Sequence, residues 1–529
     1  MNKKQEKFWL LVLVAVAIII RLLFPSAETL APDSTLYLKL ADKIAVGQLE
    51  LDEVFTPSNI IQPGFSIVIF LINQMFRNPE FVGVLISILS GVVLIVLIFY
   101  LGKRLFNVWT GLIAGIVIAI HPLFIRYSTI VLTESLFTAL FIGAILMFWS
   151  MMREPKSHLW YFFLGLLVGY AYLVRIVGLS LVLVFLFWIV ANWSQHNKLP
   201  VRKIVLSIVV FIIGVSMLVA PYLFYLYEKT GQFVLTGQQA IAANVQAEFD
   251  QYAADRMTEK RRVFQSLTED KTDYAINYGG NSMPGTATSI IDRVWSFGRL
   301  FIINISYNAY FFVTVFLLQI IILIYGLYRA IKKKENTLQY WYLLSIIPLY
   351  LFIYYLGQPS FRYYYPIVVL LLLLASAGAV QLIKGISKIN IRMLVISILI
   401  TIFVLYEVVV HISFLKGENI FLRPFFRPSY DSEMTLWIDN NLGSNLEILS
   451  TTPVVSYEVD ARNYGMPYAD IDSIIYFARY HNLDYIFVQN WGEYYGMVKT
   501  QLDDISTNPD SNIISIIKKP RYSLYRLEY

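Results

Sequence analysis

The chain has 529 residues, of which 57% are hydrophobic and 15% charged, with a net charge of +6 and no cysteine. An ordinary soluble domain carries about a quarter charged residues, so most of this chain is excluded from water, and the lack of cysteine excludes disulfides and thiolate chemistry. The positive charge is not a nucleic-acid signature, because Lys and Arg fall in short stretches between apolar runs rather than on one basic face.

Runs long enough to cross about 30 Å of hydrocarbon recur near 8–25, 80–101, 108–124, 130–151, 159–176, 178–194, 204–226, 303–328, 339–356, 364–383 and 393–413. The pattern predicts a polytopic α-helical membrane protein with about eleven transmembrane helices. Basic residues concentrate in alternate short connections: Lys3, Lys4 and Lys7, then Lys103 and Arg104, then Arg153 and Lys156. Lys198, Arg202 and Lys203 continue the series, followed by Arg329 with Lys332, Lys333 and Lys334, and by Lys384, Lys388 and Arg392. By the positive-inside rule these mark the cytoplasmic side. The N-terminal run is read as a retained span rather than a signal peptide, since it continues through Arg21 to Phe24 and its loss would unpair the later spans.

Three non-cytoplasmic segments are too long to be simple connectors. Residues 26–79 hold Asp33-Ser34, a predicted helix from Thr35 to Val46, and the run Gln62 to Phe70. Residues 227–302 carry a mixed-charge helical stretch from Gln239 to Gln265. The tail, 414–529, returns to soluble composition. In it, Thr435 to Asn441 and Ile471 to His481 predict helices, and Leu446 to Ser450, Asp484 to Val488 and Ser523 to Leu527 predict strands, giving a small α/β extracytoplasmic domain after a membrane domain over 1–413. The sequence shows no Gly-rich phosphate loop, no paired metal ligands and no repeat.

Charged groups close to a span are costly and need a reason. Asp33, Arg126, Glu134, Arg175 and Arg362 all map to the non-cytoplasmic side, where short external turns disfavour arginine. An anion, a lipid phosphate being the obvious one at that depth, would offset them through charge-assisted contacts. Blander readings stand beside this one. Arg126 and Arg175 would snorkel to headgroups; Arg362, within Gln358 to Pro366, would belong to an interfacial tyrosine belt; Glu134 would pair internally with an arginine; Asp33 would cap the Thr35 helix. His121, beside Pro122, is a lone imidazole without matching metal ligands.

The ordered set Arg21, Pro32-Asp33-Ser34-Thr35-Leu36-Tyr37, Gln62-Pro63-Gly64-Phe65, Pro122 with Ser128 and Thr133-Glu134, Gly165 to Gly178 with Arg175, Arg362-Tyr363 with Pro366, and a tail with Trp437-Ile438, Arg462 and Asp484-Tyr485-Ile486 resembles the GT-C glycosyltransferases. The likeness is to the group around protein O-mannosyltransferases and lipid A aminoarabinose transferases. In that family an acidic pair stands in the first loop, whereas here Asp33 is followed by Ser34. The resemblance implies a sugar donor on a polyprenyl phosphate, Asp33 at the catalytic position, and Glu134, Arg175, Arg362, Tyr363 and Tyr37 on substrate. Asp33 would take the acceptor's proton as general base, and Arg362 and Arg175 would stabilise the departing phosphate. The partners implied are this donor, an acceptor hydroxyl on a lipid, glycan or protein, and membrane lipids, with no nucleic acid. The cofactor is unknown: a divalent metal is compatible, but no ligand cluster supports one. The location implied is the plasma membrane, with a cytoplasmic N-terminus. A transporter or flippase, a polymerase or ligase of undecaprenyl-linked glycans, and a sensory protein are the alternatives. Against the first stand the missing repeat and broken-helix symmetry, against the second the Pro-Asp-Ser motif, and against the third the external arginines.

Overall fold

The computed structural model describes residues 2–23, 30–49, 61–153, 157–195, 201–231, 233–237, 319–355 and 361–386. In the tail it describes 437–438, 440–441, 446–459, 461–466, 471–489, 493–508, 511–520 and 522–528. The span expected at 393–413, the first part of that at 303–328, the stretch Gln239 to Gln265 and residues Gln358 to Ser360 lie outside the described residues. The chain divides into two compact units: Met1–Thr29, Gln62–Lys229 and Ser289–Pro424 form one, and Leu30–Ile61, Thr230–Thr288 and Phe425–Tyr529 the other.

The first unit is helical: α1 (Lys3–Leu23), α3 (Gly64–Phe76), α4 (Pro79–Leu105), α5 (Val108–Ile120), α6 (Pro122–Tyr127), α7 (Glu134–Arg153), α8 (His158–Val174), α9 (Ser180–Gln195), α10 (Val201–Thr230), α11 (319–333), α12 (Thr337–Tyr355) and α13 (Tyr365–Lys384). Single 3₁₀ turns, Ile176–Leu179 and Phe361–Tyr364, precede α9 and α13. By length and apolarity four described helices can cross a membrane: Pro79–Leu105, Glu134–Arg153, Val201–Lys229 and Arg362–Lys384. Shorter apolar helices span Gly64–Phe76, Val108–Ile120, His158–Val174 and Ile176–Ala191.

Helix α4 is central, packing on α1, α3, α5 and α7. It approaches α5 closely because both present glycine there: a Cβ on Gly111 would lie 2.2 Å from the Phe99 carbonyl oxygen, and one on Gly102 2.7 Å from the Gly111 Cα. Side chains at that crossing would force the helices apart, at a cost in packing typical of overfilled cores.

Three boundaries differ from the sequence reading. The run at 108–124 is not one helix: it breaks after Ile120, because Pro122 drives His121 out of the α region (φ −68, ψ 127) and lacks an N–H for the preceding turn. The run at 130–151 becomes helical only at Glu134. Within the expected external segment 26–79, the run Gln62 to Phe70, to which no element was assigned, leads into the apolar helix α3, packed on α4 and α8.

The second unit contains α2 (Pro32–Ala45) and, in the tail, β1 (Glu447–Ser450), α14 (Pro453–Glu458), β2 (Arg462–Gly465), α15 (Ile471–Tyr480), β3 (Tyr485–Gln489), α16 (Glu493–Ile505), β4 (Ile513–Lys518) and β5 (Tyr522–Leu527). The strand order is β2-β1-β3-β5-β4, parallel across β2, β1 and β3 and antiparallel thereafter. Alternation sorts the side chains of β3. Ile486 and Val488 join Leu449, Phe477, Leu502 and Tyr525 on one face, while Tyr485 and Phe487 join Ile448, Val455 and Leu524 on the other. Helix α2 packs on α14.

Candidate functional site

Helix ends and interruptions supply three charged residues of the first unit. Glu134 opens α7, Arg175 sits between α8 and the 3₁₀ turn at Ile176–Leu179, and Arg362 lies in the 3₁₀ turn before α13. The structure brings these three together. Glu134 is fully buried, and its Oε1 lies 3.1 Å from Arg175 Nη2 and 3.6 Å from Arg362 Nε. The ring of Tyr363 lies between the two cations, 4.3 Å from the Arg175 Cζ and 5.3 Å from that of Arg362, a favourable cation–π arrangement. Tyr350, buried, donates its hydroxyl hydrogen to the Tyr363 carbonyl and so fixes the backbone under that ring. Two guanidinia share one carboxylate, so the cluster carries a net positive charge.

The second oxygen of Glu134, Oε2, is buried and has no hydrogen-bond partner among the described residues. A buried carboxylate oxygen in that state is expensive and calls for an explanation. It accepts only, so the group that complements it must be a donor such as a hydroxyl. The arginines, conversely, only donate and complement an anion. Side by side, the two halves match a molecule with hydroxyls next to a negatively charged phosphate.

Arg126 lies in the last turn of α6, half-buried. Residues that the sequence did not single out frame the cluster: Tyr127 meets Tyr365 edge-on and Phe124 meets it at a tilt, at 5.4 and 4.7 Å between ring centres. His121, considered for a metal, serves a structural purpose, its Nδ1 accepting from the Leu123 N–H at 3.2 Å as the cap of α6. Among the described residues no group of three or more His, Asp or Glu is arranged to hold a metal.

Asp33 and Tyr37 belong to the second unit, on α2. They are four residues apart and so share a helix face. Asp33 is not the helix cap. The helix begins at Pro32 and Ala31 is the cap, its N–H donating to Ser34 Oγ at 2.7 Å. Ser34 thus has a capping role at the position following Asp33, and Asp33 sits in the first turn, where the helix dipole favours a carboxylate. Tyr37 packs against the small apolar cluster of Leu36, Leu40 and Ile61.

Residues 61–221 match the family model described as dolichyl-phosphate-mannose-protein mannosyltransferase, a stretch that includes Glu134 and Arg175. No match was found among curated proteins. Similar solved structures include the Archaeoglobus fulgidus oligosaccharyltransferase in the apo form, with TM-score 0.58 and 13% identity over 92% of this chain and 70% of that one. Archaeal oligosaccharyltransferase AglB from the same organism, in complex with an inhibitory peptide and a dolichol-phosphate, aligns with TM-score 0.53 and 12% identity over 91% and 69%. ArnT from Cupriavidus metallidurans bound to undecaprenyl phosphate aligns with TM-score 0.56 and 13% identity over 98% and 97%.

Proposed function

We propose that this chain, which has the GT-C fold, transfers a sugar from a polyprenyl-phosphate carrier to an acceptor hydroxyl on the non-cytoplasmic face of a cell membrane. One observation carries the reading: a buried carboxylate with an unused acceptor oxygen, held against two arginines that share one tyrosine ring. Sugar hydroxyls suit the first and a lipid phosphate the second. The dolichol-phosphate and undecaprenyl phosphate present in the two similar structures support the same class of donor. The acceptor, whether lipid, glycan or protein, is defined here only by its hydroxyl.

In this reading the acceptor oxygen attacks the anomeric carbon, its proton passes to Asp33, and the bond from that carbon to the phosphate oxygen breaks with its electron pair leaving on the phosphate. Asp33 acts as general base, for which it needs hydrogen-bond reach to the acceptor. Arg175 and Arg362 stabilise the charge that accumulates on the leaving phosphate, a preorganised electrostatic contribution. Glu134 fixes the two forks and offers Oε2 to a sugar hydroxyl. Tyr363 supports both cations, and Tyr37 stands beside Asp33 on α2 to contact substrate. The chain crosses the plasma membrane several times with a cytoplasmic N-terminus.

The decisive experiment incubates the purified full chain with a panel of polyprenyl-phosphate sugars and hydroxyl acceptors and measures release of polyprenyl phosphate. At least one donor should release it, and Asp33→Asn should slow release by about 10²- to 10⁴-fold while protein abundance holds. Silence across the panel would refute the transferase reading, and a variant retaining a tenth or more of the rate would remove Asp33 as base. For orientation, single cysteines at Lys333 and Arg462 in this cysteine-free chain should differ in intact cells, with only the latter labelled by an impermeant thiol reagent.

A further inference from the structure

Arg21 is the more deeply buried of two buried arginines described in the first unit, 1% exposed near the end of α1, and the proposed mechanism does not use it. Among the described residues no carboxylate pairs with it. Its contacts are all neutral: Nε donates to Ser128 Oγ at 2.8 Å, and Nη1 to the carbonyls of Ala17 at 3.1 Å and Ala119 at 3.4 Å. A buried guanidinium is retained at considerable cost, so this arrangement needs a cause.

The cause lies in the helix break between α5 and α6. Pro122 has no N–H, and the Leu123 N–H, which would have served the Ala119 carbonyl in a continuous helix, turns to His121 Nδ1 instead. The carbonyls at the end of α5 are therefore left without helical partners, and Arg21 reaches across from α1 to one of them. Its Nε holds Ser128, whose hydroxyl passes its own hydrogen to the carbonyl of Phe124 or Ile125, at 2.7 and 2.8 Å. Arg21 thereby ties the end of α5 to the far end of α6.

Beyond Ser128 the chain runs irregularly as far as Glu134. This stretch is held at further points, by Ser135 Oγ on the Tyr127 carbonyl at 2.8 Å and by Ser87 Oγ on the Leu132 carbonyl at 3.5 Å. On α6 itself, Phe124 and Tyr127 pack on Tyr365, three residues after Arg362. The same short helix thus bears on both sides of the cluster. Gly91 of α4 makes room for the tie, since a Cβ there would stand 2.6 Å from Ser128 Cβ and 3.2 Å from Arg21 Nε.

We propose that Arg21 is a positioning residue for the two-arginine cluster, setting the place of Glu134 and, through α6 and Tyr365, that of Arg362. Its fork geometry, rather than its charge, is what the position requires, because three acceptors in different directions cannot be matched by one ammonium of equal reach. The proposal rests on the lipid-phosphate reading of that cluster.

The test uses the full chain in detergent and measures binding of a long-chain polyprenyl phosphate together with the transfer rate, for wild type, Arg21→Lys, Ser128→Ala, Glu134→Gln and the double variant Arg21→Lys/Glu134→Gln. Arg21→Lys should lower transfer roughly 10- to 100-fold, the scale of a small misplacement of catalytic groups, and Ser128→Ala should lower it in the same direction. Once Glu134 is Gln, Arg21→Lys should cost less than about threefold, because the residue through which it acts is already lost. A general packing role would leave the two effects multiplicative, and that result, or wild-type kinetics in both Arg21→Lys and Ser128→Ala, would overturn the proposal. Should Arg21→Lys not accumulate, Ser128→Ala combined with Glu134→Gln gives the same comparison with Arg21 intact. Wild-type protein that neither binds nor releases lipid phosphate would remove the functional reading and this inference together, an outcome distinct from the variant results.

Discussion

Two buried carboxylates, one in each compact unit, are handled in opposite ways. Glu134 uses a single oxygen for two arginines and leaves the other unbonded among the described residues. Asp503 of α16, 7% exposed, uses both: Oδ1 accepts from the hydroxyls of Tyr525 at 2.7 Å and Ser523 at 3.3 Å, and Oδ2 from Lys499 at 2.8 Å, with Lys518 Nζ 3.7 Å from Oδ1. A saturated network adds rigidity and has little left to offer a ligand. An unsaturated one keeps capacity in reserve, at a cost in stability that a binding partner offsets. This contrast supports the proposed site at the Glu134 cluster and leaves the Asp503 cluster as a joint between α16, β4 and β5.

Substitutions should separate the two. Of the substitutions at these two clusters the largest effect is expected at Arg362→Ala, where losing a charged hydrogen bond made in the transition state is worth roughly 1.5 to 3 kcal/mol, or about 10- to 150-fold in transfer rate. Arg362→Lys keeps the charge, loses the planar fork and should fall between wild type and Ala. Rates equal to wild type in both would take Arg362 out of the site. At Asp503→Asn the loss should appear in stability instead, about 1 to 3 kcal/mol for a broken buried network, read as faster proteolysis of the tail with the transfer rate per folded molecule little changed. If transfer collapsed while the tail stayed resistant, the assignment of Asp503 as a joint would be wrong.

A smaller effect is expected at Tyr363→Leu, which removes the ring shared by two cations. At about 0.5 to 2 kcal/mol for partly desolvated cation–π contacts, transfer should fall severalfold and saturate at higher donor concentration. Tyr363→Phe should remain near wild type. The gentlest probe is pH. Burial works against the charge of Asp503, but hydrogen bonds from Lys499 and Tyr525 and the charges of Lys499 and Lys518 outweigh it and hold its carboxyl below the usual range. A lowered carboxylate contributes stability that is complete above its unfolded value, about 3.9, and disappears as pH falls through the folded value. Tail stability should therefore decline from about pH 4 downward, and less steeply in Asp503→Asn. Equal slopes for the two proteins would dissociate Asp503 from the acid response.

Much of the helical unit was legible because a membrane-spanning helix advertises itself in about twenty apolar residues, and the runs behind α4, α7, α10 and α13 did so. The hidden features are local. Periodicity extends a run through His121-Pro122, although the proline rule alone could have placed the break there. The 13 residues of α3 fall below the length of a span, and the run Gln62 to Phe70 was placed in the external segment 26–79 without a helix being assigned to it. At the site, the positive-inside exception drew attention to Arg175 and Arg362, and Glu134 was weighed as an internal partner. Nothing in spacing could say that one oxygen serves both cations, since pairs so distant in sequence meet only through packing. Arg21 entered the sequence reading as the end of an apolar run and as the first residue of the family-like set, but no role could be given to it, because that role depends on carbonyls freed 98 residues away.

The tail sheet has its own consequence for how the protein comes to be made. Strand β5, the last in chain order, lies in the interior between β3 and β4. Until residues 522–527 are available, β3 therefore presents an open edge of unpaired amides and carbonyls, and β4 lacks the neighbour it pairs with. Such edges invite pairing with other chains, and β3 must wait for a partner that lies beyond α16 and β4 in the chain. The nascent tail is thus most vulnerable just before its final strand arrives, the interval in which a chaperone would have most to protect.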